Sequence, residues 1–215
     1  MTKIQFNSTN LKNFRNTMAK YHVARSLKAD TINELTDSRN AYQKVLNKDI
    51  EQLLKLEKGE TEGITRSKSE IEDDAKSAKA NVVRLTASIK AATEKCEKST
   101  AEAEKLITED LYLAYVEYIS DKGNNDGKAF AQAVAEWFKA QGASDATPEN
   151  TIGFVGVIGS KDNGNRQQAL TGNFEGAVTL KTFKKRFLGN LADNLQAAGI
   201  IAPYKYKFEV KKNRK

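Results

Sequence analysis

From Ile71 to Leu106, eleven positions recur alternately four and three residues apart: Ile71, Ala75, Ala78, Val82, Leu85, Ile89, Ala92, Cys96, Ser99, Ala103 and Leu106. Ten of them are apolar, with Ser99 the exception. The mean spacing is 3.5 residues, the period at which one stripe of an α-helix keeps facing a partner helix. A strand needs period two, so this stretch is confined to helix. Its alanines permit close approach of a neighbour. Ser67-Lys-Ser-Glu70 has the spacing of a capping box at the start. A helix of this length spans about 60 Å.

A long amphipathic helix must cover its stripe. The preceding segment, 31–58, has a matching one in Ile32, Leu35, Tyr42, Leu46, Leu53 and Leu56, interrupted by Arg39 and Asp49. Thr31-Ile-Asn-Glu34 reads as a second capping box, and Gly59-Glu-Thr-Glu-Gly63 as a chain reversal. The two segments therefore predict an antiparallel helical hairpin, a coiled coil, over 31–108. Val45, Ile50 and Leu54 stand beside the first stripe. They imply self-association or a protein partner, with Ile71, Val82, Leu85 and Ile89 the expected oligomer interface.

Punctuation changes after residue 123. Of 13 glycines only Gly59 and Gly63 come earlier, and both prolines, Pro148 and Pro203, come later. The pattern predicts helices over 108–121 (Leu111, Ala114, Tyr115 and Tyr118 inward) and 128–141 (Phe130, Val134, Trp137 and Phe138 inward, Gly142 as stop). A loop holding Pro148 follows. Next come a strand over 152–158, a turn at Asn163-Gly164 and a returning strand within 167–180. A helix over 180–198 buries Leu180, Phe183, Phe187, Leu191 and Leu195 and closes at Gly199. A last strand covers 204–208. The expected fold is mainly α, a long antiparallel helical hairpin followed by a small α/β (α+β) domain. Its parts are a basic amphipathic helix in 1–30, the hairpin in 31–108, the α+β domain in 109–210 and a basic tail in 211–215. In the first part Leu11, Phe14, Met18 and Tyr21 share one face of a helix over 10–28.

Charge follows the same division. Residues 1–28 carry six cations and no acid, and 181–215 carry ten cations and two acids, or +8. The net charge is +7, so 29–180 holds 7 − 6 − 8 = −7. Two basic ends around an acidic middle call for a polyanionic partner, or for contact of the ends with the middle. The sharpest concentration is Lys181, Lys184, Lys185 and Arg186 on the first turns of a helix, where cations oppose the macrodipole and stability alone would not place them. A helix N-terminus carrying such a cluster fits phosphate. Lys205, Lys207, Lys211, Lys212, Arg214 and Lys215 extend the basic surface at one end of the chain, Lys12 and Arg15 at the other.

The single cysteine and single histidine leave no disulfide, no cysteine- or histidine-based metal cage and no assembled catalytic set. Cys96 falls on the seam and reads as a core residue. His22 lies near the apolar face of the first helix without an evident acid partner. Gly153, Gly156 and Gly159 before Ser160-Lys161 miss the phosphate-loop spacing, and Lys122 to Lys128 misses both that template and the calcium-loop one. No stretch approaches the length of a membrane span, and the opening residues lack a secretory apolar core. The expectation is a non-enzymatic, cytoplasmic protein without cofactor or metal. It is an oligomeric, nucleic-acid-associated structural or accessory protein of the kind that suits a virus, phage or plasmid (in host cytoplasm or virion). The alternative is an adaptor or inhibitor whose basic surface meets an acidic protein.

Overall fold

A computed structural model describes residues 3–120, 128–152 and 179–201. Its helices are α1 (Leu11–Ala29), α2 (Thr31–Glu57), α3 (Lys68–Glu104), α4 (Glu109–Ser120), α5 (Lys128–Ala140), α6 (Pro148–Thr151) and α7 (Leu180–Ala197). The protein is mainly helical. No strand occurs among the described residues, and the expected α+β domain is not supported. Ile152, expected to open a strand, instead caps α6, its N–H donating to Pro148 O, and is buried as part of the core. The remainder of that strand, the Asn163-Gly164 turn, the return within 167–178 and the strand over 204–208 lie outside the described residues.

Local chemistry accounts for most helix ends. Ser67 and Glu70 close the predicted capping box: Ser67 N–H and Oγ each donate to Glu70 Oε2 at 2.8 Å, and Glu70 N–H donates to Ser67 Oγ at 3.3 Å. Helix α2 ends in a Schellman closure, with Gly59 N–H on Leu56 O and Glu60 N–H on Lys55 O. Gly59 adopts φ +80, which a side chain at that position resists. Gly142 and Gly199 end α5 and α7 in the same way, Ala143 N–H reaching Phe138 O and Ile200 N–H reaching Leu195 O.

Two local readings need correction. Thr31 does not cap α2. The residue before the helix is Asp30, itself in the right-handed region and without a side-chain cap. Asp30 N–H donates to Ser26 O and Glu34 N–H to Asp30 O, so i→i−4 bonds run from α1 through Asp30 into α2, and the Glu34 N–H that a Thr31 cap would take is already used. The loop around Pro148 contains α6 instead, where Thr147 and Asn150 form a reciprocal capping box with proline at the first turn.

The chain divides into two compact units, Met1–Ala24 with Lys98–Tyr206, and Arg25–Glu97 with Lys207–Lys215. The division falls inside α1 and α3.

The second unit holds α2, the connection after it and most of α3, and Arg66 of that connection bridges Asp49 of α2 and Asp74 of α3. Every seventh residue of the stripe within this unit (Ile71, Ala78, Leu85 and Ala92) is buried, and the stripe continues into the first unit with Ser99 and, just past the end of α3, Leu106, both buried. The intervening column begins half-buried at Ala75, Val82 and Ile89 and is buried at Cys96 and Ala103. The interruptions in the α2 stripe do not face solvent freely. Asp49 is the only buried residue of that helix, 1% exposed, and Arg39 is half-buried. Arg66, in the connection, neutralises Asp49 from Nη2 at 2.5 Å and also reaches Asp74 at 2.7 Å and Gln52 at 2.6 Å. Tyr42 is turned out to solvent, and Gln43 takes the half-buried place.

The first unit is built around aromatic rings. Phe14, Met18 and Tyr21 of α1 are buried with Leu111 and Tyr115 of α4, Phe130, Val134 and Phe138 of α5, and Phe183, Phe187 and Leu191 of α7. Phe6, ahead of α1, enters this core, with ring centroids 5.1 Å from Phe14, 4.6 Å from Trp137 and 5.9 Å from Phe187. Offset and edge-on ring pairs of this kind add to area burial. The segment is also pinned by its backbone, Asn7 N–H to Leu106 O at 3.0 Å, and by Asn7 Nδ2 to Lys105 O at 3.1 Å.

Candidate functional site

The basic cluster of α7 has the setting its sequence implies. Thr179 is the N-cap, its Oγ1 accepting from Thr182 N–H at 3.2 Å. That bond uses one first-turn donor; the N–H groups of Leu180 and Lys181, at the first two helical positions, have no place in the intrahelical ladder. No acid occupies the first turn. Lys181, Lys185 and Arg186 are exposed and Lys184 is half-buried, while Phe183, Phe187 and Leu188 fix the helix to the core beneath them. Among the described residues, no carboxylate lies within ion-pair distance of these four cations.

Lys12 is exposed and Arg15 half-buried on α1. Arg15 has its Nε buried without a hydrogen-bond acceptor among the described residues. Lys205, Lys207, Lys211, Lys212, Arg214 and Lys215 lie outside the described residues.

His22 does have an acid partner. Its Nδ1 lies 3.4 Å from Asp193 Oδ1, which ties α1 to α7. The sequence signal is faint, since two helices 150 residues apart must first be known to pack. The Arg66–Asp49 pair was hidden for a similar reason: Asp49 read as a break in the stripe, and its partner sits in a connection.

Of the four residues expected at an oligomer interface, Ile71 and Leu85 are buried within the single chain, and Val82 and Ile89 are half-buried on the same stripe. The apolar side chains left exposed on the hairpin are Tyr42, Val45, Ile50 and Leu54 of α2 and Val83 of α3. Three of these, Val45, Ile50 and Leu54, are the shoulders read from the sequence.

Two open grooves flank the N-terminal segment. One, of about 780 Å³, runs along Gln5–Thr9 and Thr108, Asp110, Leu111 and Leu113; the other, of about 610 Å³, meets Tyr118, Glu136, Trp137 and Gln141. Among the described residues, no group of three or more His, Cys, Asp or Glu side chains is placed to hold a metal ion, and no helix is long and apolar enough to cross a membrane. Cys96 is buried, and that burial pushes its thiol pKa up, away from the reactive thiolate. Comparison with protein-family models, with curated proteins and with solved structures finds no match to this chain.

Proposed function

We propose that the protein is a non-enzymatic, nucleic-acid-associated structural or accessory protein that contacts phosphate through its basic surface and uses the hairpin for assembly. One observation carries this reading: Lys181, Lys184, Lys185 and Arg186 crowd the first two turns of α7, and no carboxylate of the described residues answers them. Cations at that end of a helix oppose its dipole. A phosphate backbone offsets that cost, because it meets the cations, the free first-turn N–H groups and the positive end of the helix together.

The test is binding of unrelated oligonucleotides as a function of salt. With about six phosphates neutralised, log affinity falls against log salt with a slope near −5. Replacing Lys181, Lys184, Lys185 and Arg186 by alanine weakens every sequence alike and flattens that slope. Unchanged affinity removes the assignment.

A second reading rests on a different observation, the exposed Tyr42, Val45, Ile50 and Leu54 along α2. Here the protein is an adaptor or inhibitor that docks a protein partner. Such binding gains from apolar burial and weakens far less with salt than phosphate binding does.

A further inference from the structure

The basic residues of α1 and α7 are far apart in sequence, yet two contacts bring them to one place. His22 of α1 meets Asp193 of α7. Toward the other end, Phe6 packs on both Phe14 of α1 and Phe187 of α7. In each helix the earlier-numbered residue therefore belongs to the same end. An opposed arrangement would set Phe14 and Phe187 roughly 20 Å apart along the helices at 1.5 Å per residue, too far for one ring to touch both. The two helices run in the same direction.

One heptad before His22 on α1 is Arg15, and one heptad before Asp193 on α7 is Arg186. Residues seven apart share a helix face, about two turns away from each other. The stripe of α1 that offers His22 thus offers Arg15, and the stripe of α7 that offers Asp193 offers Arg186. Where the first pair sets an imidazole against a carboxylate, the second is two cations. Two guanidiniums brought to one place would repel, and an anion between them would turn the repulsion into two attractions. Arg15 Nε is buried and lacks an acceptor among the described residues, and Arg186 has no carboxylate partner there.

From this geometry we infer that Arg15 and Arg186 form a two-arginine clamp for a single phosphate of a nucleic-acid backbone. The inference rests on the phosphate-binding reading above and gives it a specific geometry. Lys12 stands one turn before Arg15, and Lys185 stands beside Arg186, so the neighbouring phosphates of the same strand meet further cations. His22 and Asp193 act as positioning residues, holding the two helices in the register that brings the arginines together.

Two measurements on the full-length protein test the clamp. In the first, a labelled 20-nucleotide single strand and the corresponding duplex are titrated by fluorescence anisotropy with Arg15→Lys, Arg186→Lys and the double variant. Lysine keeps the charge and loses the planar fork. Each single variant is expected to bind about tenfold more weakly, and the double variant little worse than either, because both arginines serve one phosphate. Inorganic phosphate competes more strongly than chloride at equal ionic strength; equal competition overturns phosphate specificity. If the lysine variants bind like the parent, or their losses simply add, the clamp is wrong. The broader reading then still survives if Lys181, Lys184 and Lys185 changed together to alanine lower affinity, and both fail if that variant binds unchanged. The second measurement reads the apposition without a ligand. In a Cys96→Ser background, Arg15→Cys with Arg186→Cys is treated with a short bifunctional maleimide. Rapid intramolecular cross-linking is expected, and its absence in a folded variant overturns the juxtaposition.

Discussion

Arg66 donates from Nη2 to Oδ1 of Asp49 at 2.5 Å, joining the connection between the hairpin helices to the only buried residue of α2. The other carboxylate oxygen of Asp49, Oδ2, is buried with no hydrogen-bond partner among the described residues. The pair is thus half-satisfied, and the two partners differ in consequence. Removing the arginine leaves a buried charge uncompensated, whereas removing both charges lets the seam close on apolar atoms. Arg66→Ala is expected to lower Tm by several degrees. Asp49→Leu combined with Arg66→Ala recovers that loss and reaches or exceeds the parent. Thermal unfolding followed by circular dichroism reads both. A double variant as unstable as Arg66→Ala alone would refute the account.

The capping box at the start of α3 makes acid sensitivity local. Ser67 N–H holds the Glu70 carboxyl below the usual glutamate range, with the Ser67 hydroxyl adding to the effect and Arg66 nearby reinforcing it. A depressed acid contributes fully above its unfolded pKa, and its contribution disappears as pH falls through the folded value. The stability difference between the parent and Glu70→Gln should therefore be largest above about pH 5 and close at lower pH. Carboxyl-carbon NMR titration gives the direct check: the Glu70 midpoint lies below that of ordinary glutamates, and Ser67→Ala moves it up.

Phe6 stands outside every helix but inside the core. Phe6→Ala removes a ring that packs on Phe14, Trp137, Phe138 and Phe187. The expected loss is ~3–5 kcal/mol, read by urea unfolding with Trp137 fluorescence as probe. The sole tryptophan lies 4.6 Å from Phe6 between ring centroids, so its emission should shift to the red in the variant even before unfolding.

Cys96 should behave as a packed residue. Burial pushes its thiol pKa up, and the cations Lys28 and Lys95 counteract this only in part. At pH 8 iodoacetamide should modify the native protein at least about tenfold more slowly than the urea-unfolded chain. The raised pKa also has a sign for stability. Its contribution is complete below about pH 8 and is lost as pH rises through the folded value. Cys96→Ala removes that alkaline dependence.

Helix existence and polarity were legible because they rest on short-range chemistry. The seam of α3 is a period, its start is a serine and a glutamate three apart, and the closures of α2, α5 and α7 are glycines that tolerate a left-handed turn. The inward faces of α4 and α5 followed from the same spacing. What stayed hidden was long-range. Asp49 looked like an interruption because its neutralising partner sits 17 residues on. Asp30 continues a helix where Thr31 and Glu34 advertised a beginning, since a ladder already in progress outranks a cap. Ile152 has strand propensity, but the core it joins is helical, and packing decided its conformation. The cations of α7 were legible as a cluster. Their relation to Arg15 needed the His22–Asp193 contact, which no local pattern contains.

The placement of Phe6 also orders events during synthesis. Phe187 emerges 181 residues after Phe6, and Trp137 emerges 131 after it. At ~5–20 residues per second, the first apolar side chains wait roughly 10–40 s for their final neighbours. Helices α2 and α3, contiguous in the chain, can pair within that interval. Helices α2 and α3 are thus synthesised before the segment holding Phe6 meets its neighbours, and Ile4 and Phe6 are the surfaces a chaperone would need to shield until then.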